Sequence, residues 1–183
     1  SVGTWIFQIM LFVTSVCIFL PFSPSMPGEG LDPSWKYGMN QAMDQGLVLG
    51  RDIIFTFGPY ASIYTNTYHP ATDALMVWGS LYLGISFALA AFLNFKEGKW
   101  YLQALLLGVL AGMMYSPDAR LFYYLLLVGM YSVKLVKKNS EGQKTPIRSC
   151  LLLAVLLTPF GLLPLVKGSI AILCLAIATL CFI

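Results

Sequence analysis

Residues 74–95, ALMVWGSLYLGISFALAAFLNF, form the stretch that decides the fold. No side chain in this stretch is charged. Its length matches the about 20 apolar residues that a helix needs to cross the hydrocarbon core of a bilayer. Runs of this length and composition are typical of membrane proteins and not of soluble domains. The stretch therefore predicts a membrane-spanning helix.

The composition of the whole chain agrees with that prediction. Hydrophobic residues make up 58% of the 183 residues and charged residues only 10%, against about 45–50% and about 25% in soluble domains. The aromatic share of 14% fits the Trp and Tyr belts of lipid–water interfaces. The net charge is only +3, and the basic residues do not cluster as they do in a nucleic-acid site. We expect an all-α membrane protein that contacts membrane lipid and no nucleic acid.

The apolar runs predict about six transmembrane helices in a single domain, residues 1–183. The predicted spans are about 5–22, 74–95, 100–115, 121–136, 149–166 and 168–183. A cleavable signal peptide is the competing interpretation of the first run, although no Lys or Arg precedes it. Pro159 and Pro164 are expected to kink or break the fifth span, which makes a re-entrant segment its alternative.

Two further features concern the chain as a whole. It begins at Ser1 and ends inside an apolar run, so we expect it to be part of a longer protein. The four cysteines all lie in apolar runs without the spacing of a metal site, and we expect buried free thiols. They are Cys17, Cys150, Cys174 and Cys181.

The distribution of Lys and Arg predicts the orientation. Residues 134–148 hold five such residues and residues 96–99 hold two. Both segments lie on the same side of a six-span protein, and short loops rich in Lys and Arg are cytoplasmic. Both ends of the chain are then cytoplasmic as well. The long loop 23–73 faces outward, toward the periplasm of a bacterial inner membrane.

This outer loop is too long for a simple connection, and loops of such length are typically functional or disordered. Asp32 and Pro33 suit the N-cap and first position of a helix. The apolar residues that follow recur every four positions, which predicts an amphipathic helix over residues 33–48 lying on the outer membrane surface. They are Trp35, Met39, Met43 and Leu47. A turn at Gly58–Pro59 follows.

In these residues the chain resembles the integral-membrane glycosyltransferases of the GT-C type, mainly over residues 5–95. Their first outer loop also has an acidic residue after the first span, a juxtamembrane helix, an Arg-Asp segment and an aromatic Gly-Pro turn. The counterparts here are Asp32, residues 33–48, Arg51–Asp52 and residues 55–59. The resemblance implies a polyprenyl-phosphate sugar donor and an outward-facing site. It also implies Asp32 as catalytic base or as ligand of a divalent metal ion, Mg²⁺ or Mn²⁺.

The chain departs from that family in two ways. Many members have two adjacent acids where this chain has Asp32 followed by Pro33. Members also usually have more spans and often a soluble C-terminal domain. Other membrane subunits, or a continuation of this chain, are therefore expected partners.

Each candidate site residue has a structural alternative. Asp32 is a candidate base, metal ligand or plain helix cap. Asp52 is a candidate second carboxylate or a partner of Arg51, and Arg51 is a candidate ligand of the donor phosphate. Arg120 and Lys167 are candidates for the same phosphate, or interfacial anchors. Asp118 has the same alternatives as Arg120: a structural role at the interface or in a local pair, or a place beside the donor phosphate. The sole histidine, His69, is expected to be a loop residue.

Three functions compete. The first is a GT-C-like glycosyltransferase or its N-terminal module. The second is a non-catalytic membrane subunit that binds lipid or a partner protein. The third is a transporter, which predicts ionisable residues inside the spans and related halves; the sequence has no convincing internal repeat.

Overall fold

The computed structural model describes residues 2–96, 98–142 and 146–182. Within these ranges the chain forms helices and isolated bridges but no strand ladder. The helices are α1 Val2–Phe19, α2 Leu31–Asp44, α3 Ser62–Thr65, α4 Asp73–Phe95, α5 Trp100–Met113, α6 Pro117–Ser140, α7 Ile147–Val166 and α8 Ser169–Phe182. The all-helical expectation is confirmed for the described residues.

Three helices, α4, α6 and α7, are long and apolar enough to cross a membrane. The helices that correspond to the other predicted spans are apolar but shorter. They are Trp5–Phe19 within α1, α5, and Ser169–Thr179 within α8. A helix of 14 residues such as α5 rises about 21 Å, less than the about 30 Å of a hydrocarbon core. The structure thus has the character of a helical membrane protein, and the count of six spans stays a prediction.

The core lies where α1, α4 and α6 meet. Phe87 of α4 and Leu125 of α6 are fully buried there, together with Leu11 and Ile18 of α1. Gly84 lets α1 approach α4, because a Cβ at this position would lie 3.2 Å from the Cα of Val16. Small residues at helix contacts are the usual means of close packing in membranes, where the hydrophobic effect does not drive helices together.

The helix α7 differs from the expectation for the fifth span. Pro159 and Pro164 both lie inside a continuous helix, and the break comes after Val166. Proline is tolerated within membrane helices because neighbouring groups satisfy the freed carbonyls. The chain instead leaves the helix at Lys167, whose backbone is extended, and re-enters one at Ser169.

Residues 20–72, named the platform here, fold into one unit at one end of the bundle. Ser25 pairs with Thr67 to close it. The helix α2 buries Met39 against Phe57 and Ala61 of the same platform. The predicted amphipathic helix is therefore present, but its apolar side packs on protein.

The predicted ends of α2 are wrong. The N-cap is Gly30, and Asp32 lies inside the first turn with no capping hydrogen bond from its side chain. Gly30 takes this position with a φ of 112°, which favours glycine. The helix ends at Asp44, four residues before the expected boundary, because Gly46 turns the chain with a φ of 68°.

The cysteines also differ from the expectation. Cys17 and Cys150 are exposed on the helix surface and Cys174 is buried, all three as free thiols. Cys181 lies where side chains are not described.

Candidate functional site

The platform is hydrogen-bonded to the break between α7 and α8. The amide of Gly58 donates to the carbonyl of Val166 at 3.2 Å, and the amide of Gly168 donates to that of Thr56 at 2.8 Å. A Cβ at Gly58 would collide with the backbone of Leu165. The Gly58–Pro59 turn predicted from the sequence is therefore the point at which the platform meets the helices, and it requires glycine.

Lys167 lies at the centre of this contact. Its ammonium Nζ is 2.6 Å from Oδ1 of Asp118, at the start of α6. The same Nζ donates to the Tyr64 hydroxyl at 3.5 Å. It also lies 5.3 Å from the ring centre of Phe57 and 4.8 Å from that of Tyr64, within reach of a cation–π interaction. One side chain thus joins the platform, α6 and the α7–α8 break.

The pKa values in this cluster favour its charged and hydrogen-bonded form. Burial lowers the pKa of Lys167, but its hydrogen bonds to Asp118 and Tyr64 outweigh that effect, so the pKa is raised. Burial and the nearby Asp118 carboxylate raise the pKa of Tyr64 more than Lys167 lowers it. Lys167 is therefore an ammonium, and Tyr64 a neutral phenol, at neutral pH.

Arg120 follows Asp118 by two residues in α6 but is buried, with 8% of its surface exposed. Its guanidinium donates to the carbonyl of Ile18 and covers the ring of Phe19 at 5.7 Å. No described carboxylate lies within 4.0 Å of it. Arg120 thus joins α6 to α1. Asp118 compensates the charge of Lys167, so Arg120 is the one cation of these three residues without a described carboxylate partner.

An apolar groove opens beside the cluster, between α3, α4 and α7. Its volume is about 210 Å³ and its walls include Ile63, Gly79, Tyr82, Leu162 and Val166. Ile63 and Val166 also line the narrow cleft that contains Tyr64 and Arg120. The groove and the charged cluster therefore adjoin each other.

Asp32 lies on the exposed side of the platform. Its Oδ1 accepts a hydrogen bond of 3.0 Å from the Trp35 indole. The Trp35 ring stacks on Phe57 with 5.0 Å between ring centres, and Phe57 in turn faces Lys167. Asp32 and Lys167 thus lie at the two ends of an aromatic stack, without a direct hydrogen bond or ion pair between them among the described contacts.

Arg51 and Asp52 form a local pair away from this cluster. Two guanidinium nitrogens of Arg51 donate to the two carboxylate oxygens of Asp52, at 2.9 and 2.8 Å. Oδ2 also accepts from the amide of Val48 at 2.9 Å. Arg51 lowers the pKa of Asp52 the most, followed by that amide. Asp52 thus has the pair with Arg51 that was one of its two alternatives, and the pair closes an exposed turn.

His69 is a buried structural residue. Its Nε2 lies 3.3 Å from Oε1 of Gln41, and its Nδ1 accepts from the amide of Ala71 at 3.2 Å. The ring packs on Tyr37. His69 therefore holds α2 against the segment that leads into α4.

The residues at Asp32 do not fit a divalent metal ion. In the described ranges, no three side chains of His, Cys, Asp and Glu come together as a metal-ligating group. Divalent Mg²⁺ and Mn²⁺ need several oxygen ligands, and Asp52, the nearest acid in the motif, is occupied by Arg51. The chemistry proposed below for Asp32 therefore uses no metal ion.

Sequence reasoning named Lys167, Arg120 and Asp118 as candidates near one phosphate but missed the ion pair between Lys167 and Asp118. Asp118 and Lys167 are 49 positions apart, and no periodicity connects them. The available signal was an isolated charge at the end of each of two apolar runs. Tyr64 and Phe57 showed only as members of an aromatic-rich segment.

Compared with known proteins, the chain matches no family model, no curated protein and no solved structure.

Proposed function

We propose that the chain is the membrane module of a glycosyltransferase that uses a polyprenyl-phosphate sugar as donor. The observation that carries this proposal is the adjacency of the Lys167 cluster and the apolar groove. A lipid-linked phosphate needs a positive group for its head and an apolar groove for its chain. Both lie at the platform end of the bundle, which the distribution of Lys and Arg predicts to be the outer end.

The charge of the cluster supports an anionic ligand. A buried guanidinium without a carboxylate partner is costly, and intramembrane charge typically marks a functional site. A donor phosphate near Lys167 and Arg120 compensates the extra positive charge. Lys167 is the direct ligand in this proposal. Its ammonium has three donor hydrogens, of which Asp118 and Tyr64 take two, whereas Arg120 is buried and donates to Ile18.

The groove supports a lipid with a single slender chain. Its volume of about 210 Å³ is below the about 300–1,000 Å³ typical of sites for drug-sized ligands. Its walls beside Val166 are almost wholly apolar. A groove of this size and lining accepts part of one lipid chain, and a polyprenyl phosphate has one chain.

Asp32 is the proposed base. Its carboxylate is exposed and is oriented by the Trp35 indole through Oδ1, which leaves Oδ2 available to an acceptor hydroxyl. Asp32 takes the hydroxyl proton as the oxygen bonds to the anomeric carbon of the sugar. The bond from that carbon to the phosphate oxygen breaks, and polyprenyl phosphate leaves with the electron pair. Arg51 and Asp52 stabilise their own exposed turn of the platform and have no direct part in this step.

The first test is binding of undecaprenyl phosphate to the purified chain in detergent. Lys167→Gln should weaken binding about tenfold, the value of one charge-assisted hydrogen bond. Leu162→Trp, which fills the groove, should weaken it similarly. Leu151→Trp is the matched control on an exposed position of α7 outside the groove, and it should bind as the wild type does. Equal binding by all four proteins would contradict the proposal.

The second candidate is a non-catalytic subunit that binds the same lipid. The observation that favours it is that Pro33 follows Asp32, where many members of the resembled family have a second acid. Such a subunit predicts undecaprenyl phosphate binding that depends on Lys167, with no sugar transfer that depends on Asp32.

A further inference from the structure

A second groove lies at the opposite end of the bundle, between α6 and α7. These helices are consecutive, and Tyr124 of α6 donates to the carbonyl of Leu156 at 2.6 Å where they touch. Toward the last turn of α6 the two helices border a shallow, open groove of about 640 Å³. Its walls are Leu135, Val136, Asn139, Cys150, Leu153, Ala154 and Leu157. These walls are mostly apolar and open to the surface, so the groove can receive a lipid chain.

The groove continues toward the middle of the bundle. A second cavity of about 200 Å³ shares Leu135, Val136, Leu153 and Leu157 with the first, and α8 closes it with Ile177 and Ala178. Gly129 brings α6 onto α8, because a Cβ there would lie 3.0 Å from Ile177. The two cavities therefore form one apolar groove, named the hairpin groove.

The length of the hairpin groove matches one leaflet. It runs along α6 from Val128 to Asn139, which is about 16 Å at 1.5 Å per residue. Half of a hydrocarbon core is about 15 Å. An acyl chain that enters at Asn139 would end near Val128, at the midplane.

The mouth of the groove is basic. Lys137 pairs with Glu141 at 4.0 Å. Among the described residues, neither Lys138 nor Arg148 has a carboxylate within 4.0 Å. Both are exposed, so this end of the hairpin carries uncompensated positive charge. Such charge attracts anionic headgroups of the cytoplasmic leaflet.

We infer that the hairpin groove binds one acyl chain of an anionic phospholipid, with its headgroup phosphate held by Lys138 and Arg148. This site is independent of the donor site, because it lies at the other end of the bundle and shares no residue with it. The bound lipid fills the space between α6 and α7 and stabilises the hairpin.

The test is native mass spectrometry of the full chain after incubation with dioleoyl phosphatidylglycerol or dioleoyl phosphatidylcholine. The wild type should retain one phosphatidylglycerol in preference to phosphatidylcholine. Ala154→Phe fills the groove and should retain at least about fivefold less. Val155→Phe, the next residue on α7 and outside the groove, should retain as much as the wild type. The double variant Lys138→Gln with Arg148→Gln should lose the preference for phosphatidylglycerol.

Cys150 gives a second readout that needs no groove-filling variant. Its thiol is exposed at the groove mouth, so phosphatidylglycerol should slow its reaction with a maleimide. Cys17 is exposed on α1, away from the groove, and should react at an unchanged rate. The inference would be overturned if Ala154→Phe and Val155→Phe retained equal amounts of phosphatidylglycerol, or if the lipid did not protect Cys150. It would also be overturned if the chain appeared as a dimer without bound lipid.

Discussion

The ammonium of Lys167 lies 2.6 Å from the carboxylate of Asp118 and so joins the break between α7 and α8 to the first turn of α6. Phe57 and Tyr64 of the platform cover the same ammonium. Three parts of the chain that are far apart in sequence therefore depend on one ion pair. The pair also lies next to the apolar groove, since Val166, the neighbour of Lys167, lines that groove.

Lys167→Gln should lower the free energy of unfolding by about 1–3 kcal/mol, between the values for exposed and fully buried pairs. The reason is that Asp118 keeps its charge without a partner. Thermal unfolding followed by circular dichroism in detergent measures the effect. Lys137→Gln is the control, because its pair with Glu141 is exposed and 4.0 Å long; its effect should be below about 1 kcal/mol.

The pair also predicts a dependence of stability on alkaline pH. Because the pKa of Lys167 is raised above its ordinary value of 10.5, its contribution is fully present below that pH. It is lost as the pH rises through the raised value. The stability difference between wild type and Lys167→Gln should therefore stay constant from pH 7 to 9 and shrink above pH 10.5. A difference that shrinks below pH 9 would contradict this assignment.

Gly58→Ala should destabilise the platform by about 1–3 kcal/mol, the usual cost of overpacking. The added methyl collides with the backbone of Leu165, which cannot move like a flexible side chain. Gly38→Ala is the matched control in α2, with no atom within 4 Å of the added methyl. It should stabilise the protein by about 0.5–1 kcal/mol. Limited proteolysis should cleave the platform fastest in Gly58→Ala, more slowly in the wild type and slowest in Gly38→Ala.

The predicted orientation is tested by accessibility to a membrane-impermeant maleimide in a chain without native cysteines. Ser34→Cys, on the platform, should react in intact cells. Ser140→Cys, at the end of α6, should react only after permeabilisation. Both positions are exposed, so burial does not explain a difference. Labelling of both from the same side would refute the orientation.

The helices themselves could be predicted from the sequence because each depends on local composition. Residues 74–95 predicted α4 to within one residue of Asp73–Phe95. The ends of α2 were wrong because Gly30 and Gly46 determine them by positive φ values, and Asp32 offered a competing cap.

Contacts between distant residues could not be predicted. The position of α7's end depends on hydrogen bonds from Gly58 and Gly168, not on its internal prolines. Arg120 looked like a surface anchor, and only the packing of α1 against α6 shows its bond to Ile18. Single charges between apolar runs drew attention to Arg120 and Lys167, but the distances between such residues depend on how the helices pack.

The most direct test of the proposed function is sugar transfer in membrane vesicles that contain the full chain. The probes are undecaprenyl phosphate linked to radiolabelled glucose, mannose or arabinose, each supplied separately. The wild type should transfer label from at least one probe. Asp32→Asn should fold normally and reduce transfer by about 100-fold or more, the usual contribution of a general base. Asp44→Asn changes an exposed acid at the other end of α2 and should keep full transfer. Transfer by Asp32→Asn at the wild-type rate would contradict the account.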